Sequence, residues 1–266
     1  MNSIRLYIQF VRLSIRSQMV YKASFIFGSI GHFFITVIEF VGILALFDRF
    51  GGINGWTLPE IALFYGTVNA SFALAESFGR GYDLFSHQVV SGRFDRLILR
   101  PRSFMLQLMG VEVQLIRVGR LLQGLAIMIW ACVTLHINLL SVEVIIIIMT
   151  IIGCMFLFLG LFVIQATMSF WTIQSLEVVN AFTYGGVQLA QYPVDIYKKW
   201  FQKIFIYIIP IATVSYFPLL VVLGKSDMVS LPIPLITAMP LVGIFFFVLT
   251  QIFFRVGVLH YKSTGS

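Results

Sequence analysis

Residues Arg80–Arg102, RGYDLFSHQVVSGRFDRLILRPR, form the one long polar and basic interruption in a chain that is otherwise almost continuously apolar. Five arginines (Arg80, Arg93, Arg96, Arg100 and Arg102) stand between long hydrophobic runs. Each would cost roughly 2.5–3.5 kcal/mol at the centre of a bilayer, so the stretch belongs in water or among lipid headgroups. Arginine excess places such a loop on the cytoplasmic side. Tyr82–Ile98 has helix-compatible spacing: Leu84, Val89 and Val90 offer an apolar side, Asp83, His87 and Arg93 a polar one, and Pro101 is a stop. A solvated positive-inside loop with no partner has the same composition.

The rest of the chain fits a membrane protein. Only 11% of its 266 residues are charged, against about 25% in soluble domains, and 59% are hydrophobic. The net charge of +7 is concentrated in the N-terminal arm, in Arg80–Arg120 and in the tail, a topology signal and not a nucleic-acid footprint. Cys132 and Cys154 lie in apolar runs, where cysteine acts as a small hydrophobe. No cleavable signal peptide is expected, because the first apolar run is too long and lacks a small-x-small site. Asn69-Ala70-Ser71 falls within a predicted span and is not expected to be glycosylated.

In Met1–Lys22, Ile4, Ile8, Val11 and Ile15 form one apolar stripe and Leu6, Phe10 and Leu13 another. Arg5, Gln9, Arg12 and Arg16 form a ridge between them, which predicts a helix lying in the membrane interface. Ala23–Phe47, roughly 37 Å as a helix, is the first span. Gly28, His32, Thr36 and Glu39 share one of its faces, suited to interhelical hydrogen bonds or to a substrate path. After a Gly-rich turn, Leu58–Phe78 returns, with Glu76 set to pair with Arg80 four residues on. Met105–His136 and Val142–Phe170 are the third and fourth spans, the third with a polar stem carrying Glu112, Arg117 and Arg120. Ser169–Asn180 is an inner turn.

Two readings remain for residues 177–224. The charge rule makes Lys198, Lys199 and Lys203 cytoplasmic and Phe201–Leu223 the fifth span. Alternatively Glu177–Tyr192 is a short fifth span and residues 193–224, broken by Pro210 and Pro218, dip in from outside as a re-entrant pair. Pro232–Phe254 is the last span. The expected fold is therefore all-α, one membrane domain over residues 1–266, with six transmembrane helices and both termini inside.

No chemical engine is visible. There is no Gly-x4-Gly-Lys-Ser/Thr phosphate loop, no His-Glu-x-x-His and no Gly-x-Ser-x-Gly. His32, His87, His136 and His260 have no ligand spacing. No enzyme activity, metal or cofactor of its own is expected. His32, Glu39, Asn69 and Asn180 are the polar candidates for a translocation path.

Ser91-Gly92-Arg93-Phe94-Asp95-Arg96-Leu97-Ile98-Leu99-Arg100-Pro101 resembles the G-x-[FL]-D-x2-L-x-[RK]-P stretch of compact six-span permeases of the type-2 ABC exporter class, encoded beside a separate ATPase. The polar Gln174–Asn180 turn, the proline-spaced Tyr192–Gly224 segment and the Tyr261–Ser266 tail are also similar. The resemblance implies that the arginine loop holds a coupling helix docking into a cytoplasmic ATPase, with Val90, Gly92, Arg93, Phe94 and Asp95 as contacts. Gly92 would permit a tight turn and Phe94 would be an apolar plug. It also implies the interfacial N-terminal helix, the re-entrant reading of residues 193–224, a bacterial inner-membrane location, and a dimer with itself or a sister permease. Two ATPase copies would bind the ATP and Mg. Lipid-like, peptide or drug-like cargo suits an apolar cavity. The alternatives are a self-contained secondary transporter or channel using Glu39 and His32, an intramembrane lipid enzyme, and a non-transporting immunity or sensor subunit.

Overall fold

A computed structural model describes residues 3–100, 104–111, 113–138, 140–172 and 176–261. Among these the chain is helical, apart from turns and one isolated bridge between Ile53 and Trp56. Helix α1 (Ser3–Val20) leads into α2 (Lys22–Phe50) and α3 (Leu58–Asp83). Two short helices, α4 (Phe85–Val90) and α5 (Arg93–Ile98), fill the arginine loop, followed by α6 (Phe104–Val111), α7 (Val118–Thr134), α8 (Val142–Met168) and α9 (Leu176–Ala190). The C-terminal part holds α10 (Lys199–Lys203), α11 (Ile211–Val222), α12 (Ile233–Ala238) and α13 (Pro240–His260).

Among the described residues, four helical stretches are long and apolar enough to cross a membrane: α2, α7 with its leading turn, α8, and α12–α13; the bent pair α10–α11 makes five if taken as one span. The chain is thus a multi-pass membrane protein. The other two expected spans differ in kind. Helix α3 has 26 residues but carries Glu60, Asn69 and Glu76, all buried within the bundle. Helix α9 has only 15 residues, about 22 Å.

Helix α3 is the axis of the bundle. Ile61–Tyr65 are fully buried, and α7 and α8 pack along it, with α13 against the far side of α8. Lipid offers no hydrophobic drive to bring helices together, so close contact depends on small residues. A Cβ on Gly66 would lie 2.6 Å from the Met128 nitrogen, and one on Gly243 would lie 2.0 Å from the Gly153 carbonyl oxygen. Buried hydroxyls turn back onto their own helices, Ser71 to the Thr67 carbonyl and Thr150 to the Ile146 carbonyl, at 2.6 and 2.8 Å.

Several boundaries differ from those predicted. Helix α3 continues to Asp83, and α13 continues through Arg255 to His260. The expected inner turn at Ser169–Asn180 is already helical from Leu176, while Gln174 lies outside the described residues, as do Pro101, Arg102, Glu112 and the tail beyond Tyr261. The third span is not continuous. Helix α6 ends at Val111, and helix resumes with the tight turn Leu115–Arg117. Helix α1 supplies the missing partners at this break. The Val113 amide donates to Ser14 Oγ at 2.9 Å, the Leu115 amide donates to Gln18 Oε1 at 3.0 Å, and the Gln18 amide group donates to the Val113 carbonyl. Ser14 and Gln18 lie on the side of α1 away from Arg5, Arg12 and Arg16, which are exposed.

Phe201–Leu223 is not one straight helix. Helix α10 loosens into a wide turn at Ile204–Ile208, and the chain bends by 99° before α11. Pro210 has no amide to continue the ladder. The Thr213 hydroxyl donates to the freed Ile206 carbonyl at 2.8 Å. Both ends of the segment meet one corner. Near its start, Asp195 accepts a 3.1 Å bond from the Trp56 indole. Just past its end, Lys225 pairs with Glu60 at 2.7 Å and lies 4.0 Å from the Trp56 ring centroid. Trp56 and Glu60 flank the start of α3, so the segment leaves and returns at the same end of the bundle, opposite the arginine loop.

Candidate functional site

The arginine loop folds around a glycine and two phenylalanines. Helix α4 ends at Val90 because Gly92 adopts φ +64°, a left-handed conformation that a residue with a Cβ rarely takes. The Gly92 amide donates to the Val89 carbonyl at 3.1 Å, and the Asp95 amide donates to the Gly92 carbonyl at 3.3 Å. The tight turn expected at Gly92 is present.

The single helical register drawn through Tyr82–Ile98 is not. The helix pauses at Leu84 and turns again at Ser91–Gly92, so the inward residues are Phe85, Val89 and Phe94, whereas Val90 is 55% exposed. Phe94 is completely buried. Its ring centre lies 4.9 Å from those of Phe85 and Tyr261 and 5.4 Å from that of Phe170. Phe254 and Tyr82 complete this aromatic nest. Next to it the Tyr261 hydroxyl donates to Asp95 Oδ1 at 2.9 Å. Burial, and then the Asp95 carboxylate, raise the Tyr261 phenol above its ordinary value, so it stays a donor at neutral pH. Phe94 therefore points into its own chain and is not an outward apolar plug. The face left outward carries His87, Val90, Arg93 and Arg96, with Leu99 82% exposed.

Above the nest lies a buried charge cluster. Glu76 does not pair with Arg80, the expected partner. Its carboxylate meets Arg117 at 3.3 Å and Arg120 at 3.5 Å, and its side chain is only 4% exposed. Arg80 instead pairs with Asp83, which also accepts from Gln165. Arg117 and Arg120 reach Glu76 from the chain packed against α3, and Arg80, one turn further on, is held by Asp83. Arg120 donates to Asn69 Oδ1 at 3.0 Å and lies 4.8 Å from the Phe72 ring centroid. Arg117 approaches the His32 ring at 3.4 Å.

The four path candidates are thus divided. His32 and Asn69 belong to this cluster, and Thr36 on the same face of α2 accepts at its carbonyl from Tyr65 and Gln123, at 2.7 and 3.2 Å. Glu39 and Asn180 lie apart from the cluster, each with a buried side-chain oxygen lacking a hydrogen-bond partner among the described residues. Arg117 and Arg120 were placed by the sequence in a stem outside the core. A signal was available: they stand three apart on one helix face, and Asn69 and Glu76 stand seven apart on another, so two helices present matching polar sides.

The family model described as ABC-2 family transporter protein matches residues 33–265, a span that includes the loop, the nest and all of the cluster but His32. The chain belongs to that family. Comparison with curated proteins and with solved structures gives no match. Membership makes this chain the membrane component of an ABC transporter, a class whose permeases usually work with an ATPase subunit. The Phe94 nest joins α5 to Phe170, just past the end of α8, and to Tyr261, just past the end of α13, with Phe254 of α13 beside Phe170.

Proposed function

We propose that this ABC-2 permease is an exporter subunit, not itself an enzyme, driven by two copies of a separate cytoplasmic ATPase that holds the ATP and Mg. The supporting observation is the build of the arginine loop: a short outward helix pair locked to the spans by a fully buried phenylalanine. A lone solvated loop has no reason to bury Phe94 against the rings of Phe85, Phe170 and Tyr261. Val90 and Arg93 are the outward contacts, Gly92 sets the turn, and Phe94 with Asp95 ties the loop to α8 and to Tyr261. Closure of the ATPase pair then moves the loop and the spans together, shifting a central cavity between inward- and outward-facing states.

The reading has six spans, α2, α3, α6–α7, α8, α9 and α12–α13, with both termini and the arginine loop cytoplasmic in a bacterial inner membrane. Residues 193–224 are re-entrant from outside, supported by Asp195 and Lys225 meeting the same Trp56–Glu60 corner. Helix α9 leaves Glu177, Gly185 and Gln188 exposed. Polar groups at membrane depth face protein or a wet cavity, so a second permease, identical or a sister, lies along α9 and encloses a path for lipid-like, peptide or drug-like cargo.

Gly92→Pro forces φ to about −65° and is expected to abolish transport and transport-linked ATP hydrolysis while insertion stays normal. Asp95→Arg, which opposes the Tyr261 bond, is expected to do the same. Vesicle transport assays check both, and wild-type rates in both variants would remove the coupling assignment. Cysteines at Lys198 and Lys199, both exposed, are expected to react with a membrane-impermeant thiol reagent in intact cells. Labelling only after permeabilisation would restore the charge-rule topology.

A further inference from the structure

We infer that α10 and the wide turn after it form a contact for anionic phospholipid headgroups of the outer leaflet, with Lys199 and Lys203 on the phosphates. The outer-leaflet placement rests on the re-entrant reading of residues 193–224; the contact itself rests on the side chains. Lys198, Lys199 and Lys203 are all exposed. Among the described residues no carboxylate lies within ion-pair distance of any of them. Lys225, at the same end of the bundle, is the contrast: it pairs with Glu60 and lies against the Trp56 ring. Lysines on the outer side run against the charge rule, so three of them without a protein partner call for another anion.

The rings beside the lysines identify that anion. Trp200, Lys203 and Tyr207 follow at spacings of three and four and share the outward side, with Trp200 62% and Tyr207 78% exposed. The opposite side is closed: Phe205 is buried, and its ring centre lies 4.9 Å from that of Phe201. Trp200 meets Phe201 edge-on at 5.4 Å, which orients the indole. Bulk water disfavours two exposed aromatic rings, and hydrocarbon disfavours lysine. The headgroup layer takes both, with the rings at the interface and the ammonium groups on the phosphates. A second copy is the poorer occupant. A two-fold contact through this face would repeat the same patch on both sides and set lysine against lysine.

The test is quenching of Trp200 by brominated lipids, with the full-length protein in phosphatidylcholine vesicles. The Trp200 signal is the difference between wild type and Trp200→Phe. Brominated phosphatidylglycerol is expected to half-quench it at a mole fraction lower than that of brominated phosphatidylcholine by roughly fivefold for each lysine engaged. Lys199→Gln combined with Lys203→Gln is expected to keep the quenching but equalise the two lipids. Both lysines are exposed, so the fold is not at stake. Arg49→Gln, which removes another exposed cation at the same end, is expected to leave the preference unchanged. Equal quenching by both lipids in the wild type overturns the headgroup selection, and quenching by neither overturns the lipid contact. A loss of preference in Arg49→Gln equal to that in the lysine variant means diffuse surface charge and overturns the local site. Impermeant thiol labelling of Lys198→Cys in intact cells reads the leaflet separately. Labelling only after permeabilisation, with the lipid preference intact, overturns the re-entrant reading and the outer placement, not the headgroup contact.

Discussion

Replacing Glu76 with alanine is expected to destabilise the protein by about 3–5 kcal/mol, the cost of removing one partner from a buried ion pair. The carboxylate is the only acidic group within ion-pair distance of Arg117 and Arg120 among the described residues, and neither guanidinium can release its proton. Both are largely buried between helices, with 18% and 12% of their side chains exposed, so water replaces the lost oxygen atoms poorly. Arg120 keeps its bond to Asn69 and its position over Phe72, and Arg117 keeps its Nε bond to Gln114 at 3.2 Å beside the His32 ring, but none of these neighbours supplies the lost negative charge. Glu76→Ala with Arg117→Met removes a charge of each sign and is expected to recover a large part of the loss. Unfolding in mixed micelles, followed by the fluorescence of Trp56 and Trp130, measures both. An effect under 1 kcal/mol for the single variant would mean that Glu76 is not the counter-ion that the packing of α3 against α7 requires.

Phe94→Ala has an expected effect of similar size but a different reach. Deleting a fully buried phenylalanine costs about 3–5 kcal/mol, and the edge-on contacts to Phe85, Phe170 and Tyr261 add to that burial. Phe94 joins the loop to the spans, while the spans meet one another there through Tyr82, Phe170 and Phe254, which the substitution leaves in place. The loss is therefore expected as local opening of α4 and α5, with the bundle's own unfolding little changed. Trypsin, cutting after Arg93 and Arg96, reads this directly, and cleavage is expected to accelerate about a hundredfold or more where opening limits it. Phe94→Tyr keeps the ring and is expected to behave far more mildly. If Phe94→Ala is no more sensitive than wild type, the loop is held by something other than the nest, and the route proposed for coupling fails with it.

Much of this molecule is legible in the chain. Length, charge and hydropathy determine a helical membrane protein, because a backbone in hydrocarbon must satisfy its own hydrogen bonds. The first, second, fourth and last helices begin close to where the apolar runs begin. Gly92 as a turn and the Pro210 break are also visible, since glycine and proline act on their own backbone and need no neighbours. The stretch Ser91–Pro101 carries the family resemblance that the match over residues 33–265 bears out.

The pairings are what the sequence left undecided. Glu76 has a local partner by spacing in Arg80 and two distant ones, 41 and 44 residues away, and nothing local says which helix face will turn inward. Phe94 reads as an outward plug until Phe170, Phe254 and Tyr261 arrive from other helices to enclose it. The break at 113–114 is tolerable because Ser14 and Gln18, from the first helix, reach the amides of Val113 and Leu115. The direction of residues 193–224 hangs on Asp195 and Lys225 finding the same tryptophan. In each case the deciding energy is a contact between elements far apart in sequence, and only the tertiary structure brings them together.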